Sequence, residues 1–177
     1  METRTNIKNV RVMVEVALAA ALAVVLSLIK LYTLPQGGSL SLEMIPVFYI
    51  AVRRGGALGC VTGLLMGLGQ LFFGAYIVHP AQLVLDYPLA FTLLGVAGFM
   101  RSVPLVGVVV GSFLRFAAHT LSGVIFFAQY APEGMNVLAY SAIYNGSYML
   151  PETVITLVVI ALILAREKAI AGKANPV

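Results

Sequence analysis

Residues 10–31, VRVMVEVALAAALAVVLSLIKL, run for 22 positions with charged side chains only at Arg11, Glu15 and Lys30. At about 1.5 Å of rise per residue, a helix of this length crosses the roughly 30 Å apolar layer of a membrane. The apolar residues do not alternate with polar ones, which excludes a strand of a membrane β-barrel. This stretch therefore predicts a membrane-spanning helix.

The composition predicts that the whole chain, and not only this stretch, lies in a membrane. Of 177 residues, 60% are hydrophobic and 10% are charged, which excludes an ordinary soluble domain. We expect one all-α membrane domain over residues 1–177, forming a bundle of six transmembrane helices at about 20 residues per crossing. The second span is short and contains Pro46, so it is predicted to be tilted, kinked or partly interfacial. The predicted spans are 10–31, 40–52, 55–76, 80–100, 104–128 and 144–165.

Basic residues predict the orientation, because cytoplasmic loops retain Lys and Arg. Nine of the eleven flank the spans on the side that holds both termini, and loops 32–39, 77–79 and 129–143 on the other side contain none. We therefore expect cytoplasmic N and C termini. A cleaved signal peptide is the alternative for the N-terminus, but it would leave five spans and remove this asymmetry. The nine residues are Arg4, Lys8, Arg11, Arg53, Arg54, Arg101, Arg166, Lys168 and Lys173.

Polar side chains inside the predicted spans converge on the outer half of the bundle. They are Glu43, Asp86, Arg115, His119, Asn145 and Glu152. Charges within a membrane are costly and usually face a cavity or a partner. Three carboxylates against one guanidinium favour a cationic ligand, with Asp86 and His119 as the preferred contacts. The alternative for Arg115 is a buried structural pair with Glu152 or Asp86.

Aromatic side chains are predicted near the same outer ends. They are Tyr76, Tyr87, Phe127, Tyr130, Tyr140, Tyr144 and Tyr148. A flat cation stacked on them would gain about 1–2 kcal/mol per desolvated contact. A membrane-interface belt is the alternative, but a belt would occupy both sides of the membrane. The outer cluster therefore favours a binding site.

Small residues predict close helix packing. Glycines recur at every fourth position of the third span, which favours internal packing between helices. The first span carries two overlapping alanine pairs. Their spacing alone does not decide whether they pack inside the bundle or against a partner protein. The glycines are Gly55, Gly59, Gly63 and Gly67, and the alanine pairs are Ala17 with Ala21 and Ala19 with Ala23.

The sequence lacks the motifs of several functional classes of protein. The pair Gly172-Lys173 lacks the rest of a phosphate-binding loop, so ATP energy would have to come from another subunit. His79, His119 and Cys60 have no metal-ligand spacing, and no nucleophile motif is present. The basic residues form no stripe interleaved with aromatic residues. We therefore expect no enzyme, no cofactor, no metal and no nucleic-acid partner.

Five segments carry a resemblance to a known family. They are NVRVMVEVALAAALAVVLSLI (9–29), GGSLSLEMIPVFYIAVRRG (37–55), GAYIVHPAQLVLDYPLAF (74–91), RFAAHTLSGVIFFAQYAPEGMN (115–136) and YSAIYNGSYMLPE (140–152). In this order and in a six-span chain, they resemble the thiamine-specific S-components of energy-coupling factor (ECF) transporters. The resemblance implies a protein of the prokaryotic plasma membrane that captures thiamine from outside. It also implies assembly with a transmembrane coupling protein and two cytoplasmic ATPases.

The resemblance further implies which residues contact thiamine. Phe127, and Gln36 in the loop after the first span, occupy positions where well-known members carry Trp, and Asp86 stands where some members carry Glu. The alanines of the first span are implied to dock onto the coupling protein: Ala17, Ala19, Ala21 and Ala23. The implied pocket residues are Asp86, Tyr87, His119, Gly123, Phe127, Tyr140 and Asn145, with Tyr76, Glu43 and Gln36 around them.

Thiamine chemistry fits the same residues. Its thiazolium cation suits a carboxylate and an aromatic face, its aminopyrimidine suits Asn145 and Tyr140, and its hydroxyethyl group suits Glu43. The loop 32–39 is predicted to close over the site as a lid. A thiamine-precursor pyrimidine or another vitamin is the alternative ligand. A proton-coupled secondary carrier and a ligand-free scaffold are the alternatives from other classes.

Overall fold

The computed structural model describes residues 9–174, with side chains through residue 171. Arg4, Lys8 and the side chain of Lys173, which contribute to the predicted orientation, lie outside these described residues. Between residues 9 and 174 the chain forms six main helices, which confirms the predicted all-α six-helix bundle. They are α1 (Val10–Leu28), α2 (Met44–Arg54), α3 (Gly56–Gln70), α4 (Pro80–Phe99), α5 (Pro104–Phe126) and α6 (Val137–Ala174).

A short antiparallel hairpin lies between α1 and α2. Its strands are β1 (Tyr32–Thr33) and β2 (Ser39–Leu40). The backbone N–H of Leu31 extends the pairing by donating to the carbonyl of Leu40 at 2.9 Å. Residues 32–39, predicted as a lid, therefore form an ordered hairpin.

The hairpin shortens both neighbouring helices relative to the prediction. α1 ends at Leu28 and not at residue 31, and α2 begins at Met44 and not at residue 40, because the intervening backbone pairs within the hairpin. With 11 residues, α2 is about 16 Å long, so the prediction of a short second helix is confirmed. Pro46 lies in its first turn, where a missing N–H costs no helical hydrogen bond.

Four helices, α1, α4, α5 and α6, are long and apolar enough to cross a membrane. The prediction of a full third span to residue 76 is wrong: α3 has 15 residues, about 22 Å, and ends at Gln70. Gly74 then adopts φ +84°, a conformation that glycine accepts readily, and turns the chain towards α4. α5 ends at Phe126, slightly before the predicted residue 128.

The last helix begins earlier than predicted. α6 starts at Val137 and not at residue 144, because Asn136 caps it. The Oδ1 atom of Asn136 accepts hydrogen bonds from the second and third N–H groups of the helix, at 2.9 and 3.2 Å. Asn145, which was predicted to open the helix, therefore lies about two turns inside it. The helix also continues beyond the predicted end at residue 165.

Helix α4 contains a π-helical turn at Leu85–Leu89. Pro88 lies inside this turn, has no N–H to donate and cannot continue regular α-helical hydrogen bonding. Such π-turns widen a helix locally and are frequent at functional sites. Asp86 and Tyr87, both predicted contacts, lie within the turn.

Three glycines of the predicted row pack against neighbouring helices, Gly59 against α2 and α4 and Gly63 and Gly67 against the backbone of α4, which confirms internal packing. Gly55 precedes α3 and lies against the side chain of Arg101. A Cβ atom on Gly63 would lie 2.0 Å from the carbonyl oxygen of Phe91, and one on Gly67 would lie 2.5 Å from that of Tyr87. No side chain fits at such distances. The row therefore brings α3 close to the widened part of α4, and the apolar core continues around Met44, Phe48, Met66, Phe91 and Leu94.

The alanines of α1 do not share one face. Ala17 and Ala21 are exposed, whereas Ala23 is fully buried in the core and Ala19 packs partly against a smaller core cluster. At 100° per residue, positions two apart point to nearly opposite sides of a helix. Of the four alanines predicted to dock, Ala17 and Ala21 are therefore the ones exposed on the helix surface, and their docking stays a prediction.

Candidate functional site

A cavity of about 160 Å³ lies at the end of the bundle beside the hairpin. The hairpin tip, the loop between α3 and α4, and the facing parts of α4, α5 and α6 line it. All ten residues predicted around the pocket are brought together there. They are Gln36, Glu43, Tyr76, Asp86, Tyr87, His119, Gly123, Phe127, Tyr140 and Asn145.

Asp86 accepts hydrogen bonds from three side chains of the cavity. Its Oδ2 atom accepts from Gln82 Nε2 at 2.7 Å and from Ser122 Oγ at 2.9 Å. Its Oδ1 atom lies 3.0 Å from Nδ1 of His119. The side chain keeps 14% exposure towards the cavity, so its carboxylate is held firmly and remains reachable.

The hydrogen bonds of His119 determine which of its ring nitrogens carries the proton. Arg115 Nε, which can only donate, points at Nε2 of His119 at 3.3 Å. Nε2 is therefore the acceptor, and Nδ1 carries the hydrogen that is donated to Asp86. His119 thus connects Arg115 to the carboxylate of Asp86.

Arg115 forms a buried cluster with two carboxylates. Its Nη2 donates to Glu43 Oε1 at 2.7 Å, and its Nη1 donates to Glu152 Oε2 at 3.1 Å. Its guanidinium also lies 4.5 Å from the ring centre of Phe91. The predicted pairing of Arg115 with Glu152 is confirmed, and pairing with Asp86 is not found. Glu152 lies about four turns into α6, because this helix begins at Val137.

The same contacts change the expected role of Glu43. Its Oε1 is taken by Arg115, and its Oε2 accepts from Gln70 Nε2 at 2.7 Å. Ser41 Oγ donates to Glu152 Oε1 at 3.3 Å and accepts from the backbone N–H of Glu43. Glu43 is 4% exposed, so it serves the buried cluster at the cavity floor more than it serves as an open partner for a ligand hydroxyl.

Aromatic rings form two walls of the cavity. All seven aromatic residues predicted near the outer ends line it. In one wall the ring centre of Phe127 lies 6.0 Å from that of Tyr76 and 6.2 Å from that of Tyr130. A side-chain hydrogen bond with Tyr130 raises the pKa of the Tyr76 hydroxyl above its ordinary value.

The second wall belongs to α6. The ring of Tyr144 lies 6.3 Å from that of Tyr140 and 6.1 Å from that of Tyr148. The two walls present flat apolar faces of the kind that stack on an aromatic ligand. Tyr49 departs from the predicted one-sided distribution, because it lies at the opposite end of the bundle beside Arg53.

Asn145 and Gly123 line the cavity but also have structural duties. Asn145 donates to the carbonyl of Ser141 at 2.9 Å, and its Oδ1 accepts from the Tyr148 hydroxyl at 2.8 Å. A Cβ atom on Gly123 would lie 2.1 Å from Ser141 Oγ, so α5 and α6 require glycine there whether or not a ligand is bound.

The hairpin tip is fastened to α6 by one tyrosine. The backbone N–H of Gly38 donates to the Tyr144 hydroxyl at 3.1 Å, and that hydroxyl donates to the carbonyl of Pro35. Gln36 at the tip adopts a left-handed conformation with φ +61°. The hairpin thus lies over the cavity, with Tyr144 as its contact to the bundle.

Sequence reasoning missed four polar residues that hydrogen-bond the carboxylates of the site. Gln82 is the clearest, because it stands one helical turn before Asp86 and donates to it. The other three residues also donate hydrogen bonds to carboxylates: Ser122 to Asp86, Gln70 to Glu43 and Ser41 to Glu152. Only the spacing of Gln82 and Asp86 carries a signal in the sequence, since the other three contacts join distant segments.

Comparisons with known proteins give the family. Residues 13–171 match the family model described as thiamine transporter protein (Thia_YuaJ). The chain belongs to this family. Its relatives include the thiamine transporter ThiT of Bacillus subtilis, 40% identical over 85% of this chain and 88% of the relative. ThiT of Lacticaseibacillus paracasei is 33% identical over 89% and 88%.

A solved structure supports the same family. The structure of ThiT from Listeria monocytogenes covers 89% of this chain and 95% of its own, with a TM-score of 0.78 and 30% identity. Membership of the Thia_YuaJ family makes the chain a member of a transporter family rather than an enzyme family. With its apolar helices and bacterial relatives, it is a multi-pass protein of the plasma membrane.

Proposed function

We propose that this protein is the thiamine-binding S-component of an ATP-driven ECF uptake transporter. The observation that carries the proposal is the cavity, in which Asp86 and His119 face two walls of aromatic rings. The thiamine transporter family and the two ThiT relatives support thiamine as the ligand. Residues 1–177 then act as one substrate-binding domain.

One carboxylate of the cavity suits a cation. Glu43 and Glu152 pair with Arg115 in the buried cluster, and Lys30 also lines the cavity, so Asp86 is the carboxylate that faces a ligand. A thiazolium cation near Asp86 pairs with this carboxylate in a partly desolvated site, where opposite charges attract more strongly than in water. The aromatic walls supply cation–π contact of about 1–2 kcal/mol per ring.

The remaining pocket residues orient the neutral parts of thiamine. The aminopyrimidine ring stacks on the aromatic walls, to which Phe127 and Tyr140 belong, with Asn145 as a polar partner. Tyr76, Tyr87, Gly123 and Gln36 complete the lining. The hairpin closes over the bound vitamin from outside, held by Tyr144.

Delivery into the cell depends on partners. The exposed alanines Ala17 and Ala21 form a smooth strip on α1 where a helix of the transmembrane coupling protein approaches closely. Two cytoplasmic ATPases supply the energy, on the side of the membrane where the basic residues predict both termini of this chain. Asp86 therefore serves ligand capture in this proposal and does not relay protons.

Binding by the purified protein is the first test. Isothermal titration should show tight thiamine binding, and a thousandfold excess over Kd should stabilise the fold by about 4 kcal/mol. Mass spectrometry of the co-purified small molecule identifies the natural ligand. A precursor pyrimidine or another vitamin that displaces thiamine at lower concentration would replace thiamine in the proposal.

Reconstitution tests the transport role. In liposomes, the protein with its coupling protein and ATPases should accumulate thiamine when ATP is present on the cytoplasmic side. The protein alone, under an imposed proton gradient, should accumulate none. Uptake by the protein alone would instead support a proton-coupled carrier.

A further inference from the structure

A second cleft lies at the end of the bundle opposite the hairpin. It has a volume of about 420 Å³ and is formed by the end of α2, the beginning of α5 and the late part of α6. Val52, Ile163 and Leu164 contribute half-buried apolar side chains to its walls, beside the buried core residue Ile160. Basic residues surround these walls, so the cleft combines a hydrocarbon-like surface with a positive rim.

Two of the four basic residues in the cleft are already neutralised. Arg53 pairs with Glu167, which also lines the cleft, and also donates to the Tyr49 hydroxyl at 2.6 Å. Arg54 forms a two-pronged pair with Glu15, at 2.6 and 2.7 Å. Among the described residues, each of these two arginines is therefore paired with one carboxylate, Glu167 or Glu15.

The other two cations, Arg101 and Lys168, have no carboxylate within 4 Å among the described residues. Arg101 is nevertheless held in place, because its Nη2 donates to the carbonyl of Arg54 at 3.3 Å. A Cβ atom on Gly55 would lie 2.2 Å from Nη2 of Arg101, so the guanidinium rests against a backbone position without a side chain. The cleft thus retains two positive charges, one of them fixed by the fold.

We propose that this cleft binds the phosphate of an anionic phospholipid, with an acyl chain along the apolar wall of α2 and α6. Arg101 and Lys168 supply the charge complementarity, and Ser102, just before α5, lies in the same cleft. Basic pockets between transmembrane helices recognise anionic lipid headgroups by this combination. The apolar wall favours a lipid over a soluble phosphate, which has nothing to place there.

Lipid binding is measured by native mass spectrometry of the full-length protein in detergent. Phosphatidylglycerol and phosphatidylcholine of identical acyl chains are titrated separately. Phosphatidylglycerol should bind more tightly, and Arg101→Gln and Lys168→Gln should each weaken it about fivefold, as expected for about 1 kcal/mol per basic residue near the membrane surface. Arg166→Gln is the matched control, because Arg166 is an exposed basic residue of α6 outside the cleft.

Three outcomes would overturn the proposal. Equal affinity for both lipids, or equal losses in the control and the cleft variants, would show that the cleft does not recognise the headgroup. Inorganic phosphate that competes with phosphatidylglycerol at the same concentration would identify a soluble anion as the ligand. Weaker assembly of the Arg101→Gln variant with the coupling protein, without loss of lipid binding, would identify a protein-docking surface. Thiamine binding should be unchanged in all these variants, which keeps this test separate from the proposed function.

Discussion

Replacement of Asp86 by Asn is the most informative perturbation of the site. It preserves the size of the side chain but removes its charge and turns one oxygen into an NH2 group. Every partner of Asp86 contributes a donor: Gln82 Nε2 and Ser122 Oγ on one oxygen, and His119 Nδ1 on the other. An amide in either orientation therefore sets its NH2 group against a donor.

Two of these donors cannot reverse. Gln82 is fixed because its Nε2 also donates to the carbonyl of Tyr76 at 3.0 Å and its Oε1 accepts from Val78 N–H. His119 is fixed because Arg115 occupies its other nitrogen. One donor of the free protein is left unsatisfied, at a cost of about 1–3 kcal/mol. Loss of the carboxylate opposite a desolvated cation costs about 2–5 kcal/mol of binding energy, which is roughly 30-fold to several thousand-fold in Kd.

The assay is isothermal titration of thiamine into wild-type and Asp86→Asn protein whose melting curves have been measured. Ser122→Ala is the matched control, because it removes one hydrogen bond to Asp86 and keeps the charge, so a three- to tenfold loss is expected. An uncharged aminopyrimidine without the thiazolium ring should lose less than tenfold in the Asn variant. Thiamine binding within threefold of wild type in a folded Asn variant would refute the role of the charge.

Three further predictions test the fold and the hairpin. Arg115→Met leaves two buried carboxylates uncompensated, so the Tm in detergent should fall by about 6–20 °C, and an unchanged Tm would contradict the cluster as a stabilising pair. Tyr144→Phe removes both hydrogen bonds to the hairpin tip, so thiamine should dissociate at least fivefold faster in a chase experiment, with little change in Tm. Gly63→Val forces a side chain into the α4 backbone and should reduce the folded fraction in size-exclusion chromatography, whereas Gly146→Ala, which has only ordinary contacts at 3.9 Å, should not.

Features that depend on local sequence were predictable. Long apolar runs predict the helices, and the four-residue spacing of the glycines predicts that α3 packs closely against other helices of the bundle. The polar and aromatic residues converged because they occupy the same ends of their helices, a depth that counting residues estimates well. Because His119 lies about 15 residues into its predicted span, the count places it at a membrane depth similar to that of Asp86.

Features that depend on contacts between distant segments were not predictable. Glu43 stands 72 positions from Arg115 in the chain, and no spacing rule distinguishes it from Asp86 as a partner. The start of α6 differs from the predicted one for another reason, because its cap Asn136 lies within the predicted loop 129–143. The spacing of the alanines in α1 predicts which of them share a face of the helix, but it does not predict which neighbour covers that face.

The geometry of Arg115 explains how the buried cluster and the ligand-facing residues form a single unit. Its guanidinium uses three different N–H directions, towards Glu43, Glu152 and His119. A lysine would keep the charge but could not present this rigid planar fork. Since the Nε contact fixes the proton of His119 on Nδ1, it also fixes the donor that faces Asp86. The buried ion pairs therefore hold Asp86 oriented and open to the cavity through His119, although neither glutamate needs to touch a ligand.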